Sequence, residues 1–275
     1  MTDAYPYGPH TLVDTHVHIH ESFDLSYMLG CALGNFDRHA GQAAEGRLDG
    51  ILCLTESQGV DSYATLLSAA QRSETVGEWR LSTTDDPEAV LATRPTGGCL
   101  AIIAGRQIVT SERLEILALG TLEKPLDGQP IRHVIRSVQA AGAVCVLPWG
   151  FGKWTGNRGE IVRDLIDKNT DRNFFLGDNS GRLSAWPQPA EFSRASARDI
   201  PILAGSDPLP WSSQSGAAGR YGSRANTAID RRAPATALRD YLLSPDRHVE
   251  TFGKLESIVP FIVHQVGMQL RNRFG

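Results

Sequence analysis

Long apolar runs are missing from this 275-residue sequence, and no stretch approaches the roughly 20 residues that a membrane-spanning helix needs. The opening "MTDAYPYGPH" has neither a basic start nor an apolar h-region, so no signal peptide is read there. Cysteine is scarce: Cys31, Cys53, Cys99 and Cys145 lie far apart with no CxxC pair. That pattern suits reduced thiols in a cytoplasm better than a disulfide framework. Excess positive charge is also absent, with 27 Lys and Arg against 31 Asp and Glu and a formal net charge of −4. The balance argues against a general nucleic-acid or anionic-membrane surface. These absences predict a cytoplasmic protein with no membrane and no nucleic-acid partner. They leave the oligomeric state open.

What is present is enough apolar side chain for a sizeable core, 41% of residues, in a length that fits one domain over 1–275. Short apolar runs predict strands at 11–18, 50–55, 88–93, 99–109, 113–119, 143–148, 173–177 and 201–205. Helices are expected at 60–73, 129–141, 158–168, 189–197, 234–243 and 255–271. The clearest is 129–141, where Ile131, Val134, Ile135 and Val138 form one stripe and Gly142 stops it. Pro260 falls near the start of the last one. Strands alternating with helices imply a largely parallel α/β sheet. Between 76 and 119 the strands follow one another directly, which predicts antiparallel hairpins inserted in that frame. An irregular barrel of seven or eight strands is the expected architecture. An open doubly wound sheet is the alternative, weakened because no glycine-rich nucleotide turn follows the first strand.

The first strand carries the chemistry. In "LVDTHVHIH" (12–20), alternation puts Val13, Thr15, Val17 and Ile19 on one side and Leu12, Asp14, His16, His18 and His20 on the other. If the β-branched side packs under helices, the histidines face the barrel interior. Two imidazoles about 7 Å apart along one side of a strand end are able to converge on one cation, and His16 and His18 are read as its ligands. His20, past the strand end, is read as a loop residue.

"VDTHVHIH" resembles the D-x-H-x-H opening of metal-dependent barrel hydrolases, shared by the amidohydrolase superfamily and the PHP (polymerase and histidinol phosphatase) family. Later segments are more similar to PHP. These are "LDGILCLTES", "IIAGRQIVTSERLEILALG", "VQAAGAVCVLPWG" and "AGSDPLP", in order across most of 11–210. The resemblance implies a PHP-like, TIM-like barrel and a hydrolase acting through metal-activated water. The chain departs from the family pattern at Gln107, where an acidic ligand is expected, and at Leu147 and Leu209, where histidines are expected. What remains is His16, His18 and Asp207, with Glu56 and Asp178 as further candidate ligands. Asp207 follows the apolar run "PILAGS", at the strand end where barrels present functional groups. Two histidines with one or two carboxylates suit Zn²⁺, Mn²⁺ or Fe²⁺, one or two ions. Asp207 doubles as general base, and Asp14 is expected to orient a ring N–H.

Basic residues in loops after later strands, Lys153, Arg158, Arg182, Arg220 and Arg224, suggest a rim that binds a small anionic substrate. Three functional readings follow: a phosphoesterase, an amidohydrolase-like C–N or lactone hydrolase, and a degenerate barrel that binds without catalysis.

Overall fold

The computed structural model describes residues 10–40 and 48–255, and in them the apolar runs become thirteen strands and six α-helices. Eight strands form one sheet, in the order β13 (Val249–Gly253), β12 (Tyr221–Ala225), β1 (Thr11–Val17), β2 (Gly50–Leu54), β6 (Cys99–Ile103), β5 (Ala89–Thr93), β4 (Trp79–Thr83), β3 (Thr75–Val76). Five form the other: β11 (Ile202–Gly205), β10 (Phe175–Asn179), β9 (Val144–Pro148), β8 (Glu115–Leu119), β7 (Gly105–Val109). The pairs β1–β2, β2–β6, β9–β10 and β10–β11 are parallel. The expected antiparallel insertion is present as β3–β4, β4–β5, β5–β6 and β7–β8.

The expected seven- or eight-stranded barrel is corrected to this pair of sheets, which no ladder closes into a ring. The single strand expected at 99–109 divides at Ala104, so that β6 stays with β2 while β7 leaves for β8. The sheets meet there through the bridge between Glu56 and Arg106 and through Gly120 N, which donates to Ala104 O (2.8 Å). At the second seam β11 approaches β1 mainly through side chains. Thr15 Oγ1 donates to Ala204 O (2.9 Å), and Ser206 N donates to Asp14 Oδ1 (2.8 Å). A Cβ on Gly205 would lie 2.4 Å from the Cβ of His16, so only glycine allows this approach.

Three apolar layers result. Val13, Ile51, Cys53 and Ile103 of the large sheet meet Leu117, Val146, Phe175 and Leu203 of the small one. α6 (Pro234–Leu243) adds Leu238 and Leu242 to that inner layer. α1 (Leu25–Asp37) and α2 (Ser62–Gln71) cover the large sheet, through Leu29, Phe36 and Leu66 among others. α3 (Ile131–Ala140), α4 (Gly156–Lys168) and α5 (Ala190–Ser196) cover the small sheet, the stripe Ile131, Val134, Ile135 and Val138 facing inward as read.

α1 was not expected: Met28, Leu29, Ala32, Leu33 and Phe36 form its buried stripe, but Gly30 and Gly34 interrupt the run and weaken the helical signal. β12 (YGSRA) and β13 (VETFG) escaped for the opposite reason, being too polar to stand out. The helix expected at 255–271, with Pro260, lies outside the described residues from position 256 onward. No described helix is long and apolar enough to cross a membrane, and all four cysteines are free.

Candidate metal centre

The register of β1 against β2 slips between Asp14 and Val17. This bulge changes which side each residue faces. Leu12 and Val17, five apart, share the α1-side layer, whereas Val13 joins the layer between the sheets. The expected alternation is therefore corrected. Asp14 keeps the side of Leu12, and His16, beside Val17, turns to the opposite side and reaches the end of the inter-sheet space.

There three ligand atoms converge. His16 Nε2 lies 3.2 Å from His18 Nε2 and 3.4 Å from Asp207 Oδ1, and His18 Nε2 lies 3.5 Å from the same oxygen. Gln107 Oε1 stands 3.1 Å from His16 Nε2. A single ring N–H on His16 serves only one of these acceptors at a time, so the cluster is short of positive charge. Donors bound at about 2.1 Å around a tetrahedral ion stand about 3.4 Å apart, and the three measured edges match. His16, His18 and Asp207 are also the one group of three such side chains, among the described residues, that is placed to hold an ion.

Asp207 is held in place from several directions. Its backbone N donates to His16 O (2.8 Å), and Asn179 Nδ2 donates to its Oδ2 (3.1 Å) and to Trp149 O (3.0 Å). Its φ of 48° is left-handed, a conformation Asp tolerates and one that recurs at functional sites. Burial opposes ionisation of Asp207. The charge of His16, the bond and charge of His18, and Lys153 outweigh it and hold the carboxyl well below the usual range. Burial pushes the His16 pKa downward, and the Asp207 charge works against that push.

Asp14 does not orient a ring as expected. Its carboxylate accepts from the backbone N of Ser206 (2.8 Å), Gly219 (2.8 Å) and His16 (3.3 Å). Complete burial pushes its pKa up to about 7 against those bonds. Glu56 is not brought to the cluster. One oxygen accepts from Tyr63 N at the start of α2 (2.9 Å), and the other meets Arg106 Nη1 at 3.1 Å. Burial raises its pKa. Asp178 is likewise elsewhere, gripped by Arg182 Nε (2.9 Å) and Nη2 (2.7 Å) and by Tyr221 Oη (2.7 Å). The reason is alternation: Phe175 faces between the sheets and Leu176 faces the helices, so Asp178 follows Leu176 while Asn179 follows Phe175 inward.

The basic rim is corrected in the same way. Arg182 is matched by Asp178. Arg224 donates to His39 O (2.9 Å), and because β12 runs antiparallel with Arg224 opposite Leu12, it sits at the other end of β1 from the histidines. Arg158 donates to the carbonyls of Gly152 (2.9 Å) and Arg113 (3.4 Å). Arg220 is exposed in the turn before β12. Lys153 alone among the five acts on Asp207, while pairing with Glu115. His20 stacks near His18 and contacts Pro208 O through Nε2 at 2.9 Å.

Two participants escaped the sequence reading. Gln107 registered as a lost ligand rather than a neutral donor. Asn179 was passed over for its neighbour, because a strand read at 173–177 stops short of the position where alternation turns it inward.

No family model and no curated protein matches the sequence. Solved structures do. PsfC from Pseudomonas syringae PB-5123 superposes with a TM-score of 0.60 at 14% identity, over 95% of this chain and 98% of that one. The lesion-specific endonuclease PfuEndoQ from Pyrococcus furiosus gives 0.53 at 12% identity, over 89% of this chain and 59% of that one. An endonuclease Q complex with a 27-mer duplex carrying an abasic lesion gives 0.47 at 13% identity, over 89% and 60%. This chain thus spans about three fifths of the endonuclease length. Both proteins are PHP-like folds, and the likeness is one of fold. It overturns one expectation: with a lesion-specific endonuclease built on this fold, nucleic acid is not excluded as a partner and the substrate is not confined to a small anion. Net charge misled because it averages the whole surface and says nothing of a local site.

Proposed function

We propose that this chain is a metal-dependent phosphoester hydrolase whose ion is held by His16, His18 and Asp207, with Gln107 as a neutral neighbour. The observation that carries it is the triangle of two imidazole nitrogens and one carboxylate oxygen with edges of 3.2, 3.4 and 3.5 Å. Zn²⁺, Mn²⁺ and Fe²⁺ all accept this donor set. When bound, such an ion supplies Lewis acidity toward a phosphoryl oxygen and makes water a nucleophile near neutral pH.

The chain's own groups do the rest. Asp207 stands against both imidazoles with its second oxygen fixed, which places its carboxylate to take a proton from water at the cluster. Asn179 keeps its second oxygen fixed. Lys153 contributes positive charge on the same side as Asp207. Asp14 acts at one remove, by fixing the backbone at His16 and Ser206 on which two of the ligands stand. The endonuclease among the fold neighbours supports phosphoester chemistry over amide or lactone cleavage.

The test is calorimetric titration of chelator-stripped protein with Zn²⁺ and Mn²⁺, followed by hydrolysis of p-nitrophenyl phosphate, bis(p-nitrophenyl) phosphate and p-nitrophenyl acetate. Stoichiometric binding and phosphoester turnover, both lost in His16→Ala/His18→Ala, are expected. Absence of metal binding overturns the proposal, and turnover of the acetate alone transfers the site to acyl chemistry.

A further inference from the structure

Aromatic rings lead outward from the ligand cluster. Centroids step from His16 to His18 at 5.1 Å, from His18 to His20 at 5.6 Å, and from His20 to Phe23 at 5.1 Å. His20 and Phe23 then form part of the wall of a groove of about 1040 Å³. The groove lies between the loop after β1, the start of α2 and Pro210, at the strand ends that carry the ligands.

Its walls are mixed: Ile19, Phe23, Leu25, Val60, Leu66 and Pro210 are apolar, and Ser22, Ser62 and Thr65 add small uncharged hydroxyls between them. Both charged residues lining it are acidic. Asp61 is matched by Arg106 Nη2 at 3.1 Å and by Lys124, while Glu21 is exposed. None of the described lining residues is Lys or Arg. The cation near the cluster, Lys153, is not among those lining residues. The site is therefore asymmetric. The ligand cluster carries the charged and polar groups, and the groove, which offers no cation, rewards an uncharged group that loses little on leaving water.

We propose that this groove receives an uncharged apolar group, aryl or alkyl, bonded to the scissile oxygen of the substrate, with Val60 and Phe23 selecting for it. This rests on the hydrolase reading, and it concerns the group beside the scissile bond, not what else the substrate carries. His20 serves as a positioning residue, its ring bridging the cluster and the groove.

The test compares 1-naphthyl with glyceryl phosphoesters, each as monoester and diester, on the metal-loaded enzyme. It also follows binding of uncharged 1-naphthol by fluorescence on metal-free protein. Burial of an aryl face predicts a kcat/KM preference for the naphthyl esters of about tenfold or more. Val60→Asp, at a side chain 39% exposed and so tolerant of substitution, collapses the naphthyl-to-glyceryl ratio toward unity and weakens 1-naphthol binding. Phe23→Ala gives the same direction through lost packing. Equal turnover of both ester series, or 1-naphthol binding unchanged by both substitutions, overturns the inference while leaving the hydrolase reading intact. Val60-dependent naphthol binding without turnover of any ester sinks the hydrolase reading and leaves the groove's selectivity standing.

Discussion

Asp178 and Asp207 come from neighbouring parallel strands, β10 and the end of β11, yet they meet opposite fates. Asp178 accepts two bonds from the Arg182 guanidinium and one from Tyr221 Oη, so its charge is matched and its lone pairs are used. Asp207 meets two imidazoles, and near them a side-chain amide, with no guanidinium or ammonium against its Oδ1 in the described contacts. Equal residue types on adjacent strands thus build a closed, buried structural pair in one case and a more open cation site in the other. What separates them is the side of the strand each occupies.

The sharpest way to break this comparison is to remove each carboxylate in turn. Asp207→Ala takes away the one anionic donor of the cluster. Phosphoesterase activity falls to background, and metal affinity falls by more than the roughly 100-fold typical of losing an outer-layer partner. Calorimetry reads the affinity, and an unchanged circular dichroism spectrum shows that the fold persists. Asp178→Ala does the reverse. It leaves Arg182, whose side chain is 9% exposed, buried without its partner. Stability drops by about 3–5 kcal/mol in urea, while metal affinity stays within a few-fold of the parent. Equal metal loss in both variants erases the distinction.

The next test acts on the seam that carries Asp207 to the histidines. Gly205→Ala places a Cβ 2.4 Å from the backbone N and the Cβ of His16. β11 has to move away from β1, at a cost of about 1–3 kcal/mol, and weaker metal binding accompanies it because Asp207 rides on the displaced strand. Asn179→Ala is milder. It frees Asp207 Oδ2 and unties the ends of β9 and β11, which predicts a metal affinity roughly 10–100-fold lower with stability nearly unchanged.

How much of this was legible follows from the physics of each residue. His16 and His18 stood out because two imidazoles at alternate positions on an apolar strand are costly unless something pairs them. Asp207 stood out because it follows an uninterrupted apolar run. The bulge in β1 left no mark on the sequence, since a register slip is decided by the neighbouring strand, and so Asp14 and His16 were assigned to the same side. Asp178 and Arg182 were read as two separate functional residues. Their mutual neutralisation depends on the turn between them folding back, which four residues of spacing do not reveal. The barrel was half legible. Parallel units and the hairpin insertion follow from run lengths, but the break at Ala104 depends on competition between β2 and β8 for one apolar stretch.

Gln107 is the position where the two kinds of site come closest to exchanging character. It stands where an acidic ligand was expected, 3.1 Å from His16 Nε2, and a side-chain amide donates lone pairs without charge. Gln107→Glu adds a second anion beside Asp207 at nearly constant volume. Without metal, two carboxylates crowding neutral imidazoles repel, which raises the pKa of the pair and lowers stability modestly near neutral pH. With metal, the added charge strengthens ion binding by about tenfold, the effect of roughly 1.4 kcal/mol. The variant is therefore less stable than the parent in chelator and more stable in excess Zn²⁺, and thermal melts under the two conditions read the crossing directly. A shift of the same sign in both conditions places Gln107 outside the donor set.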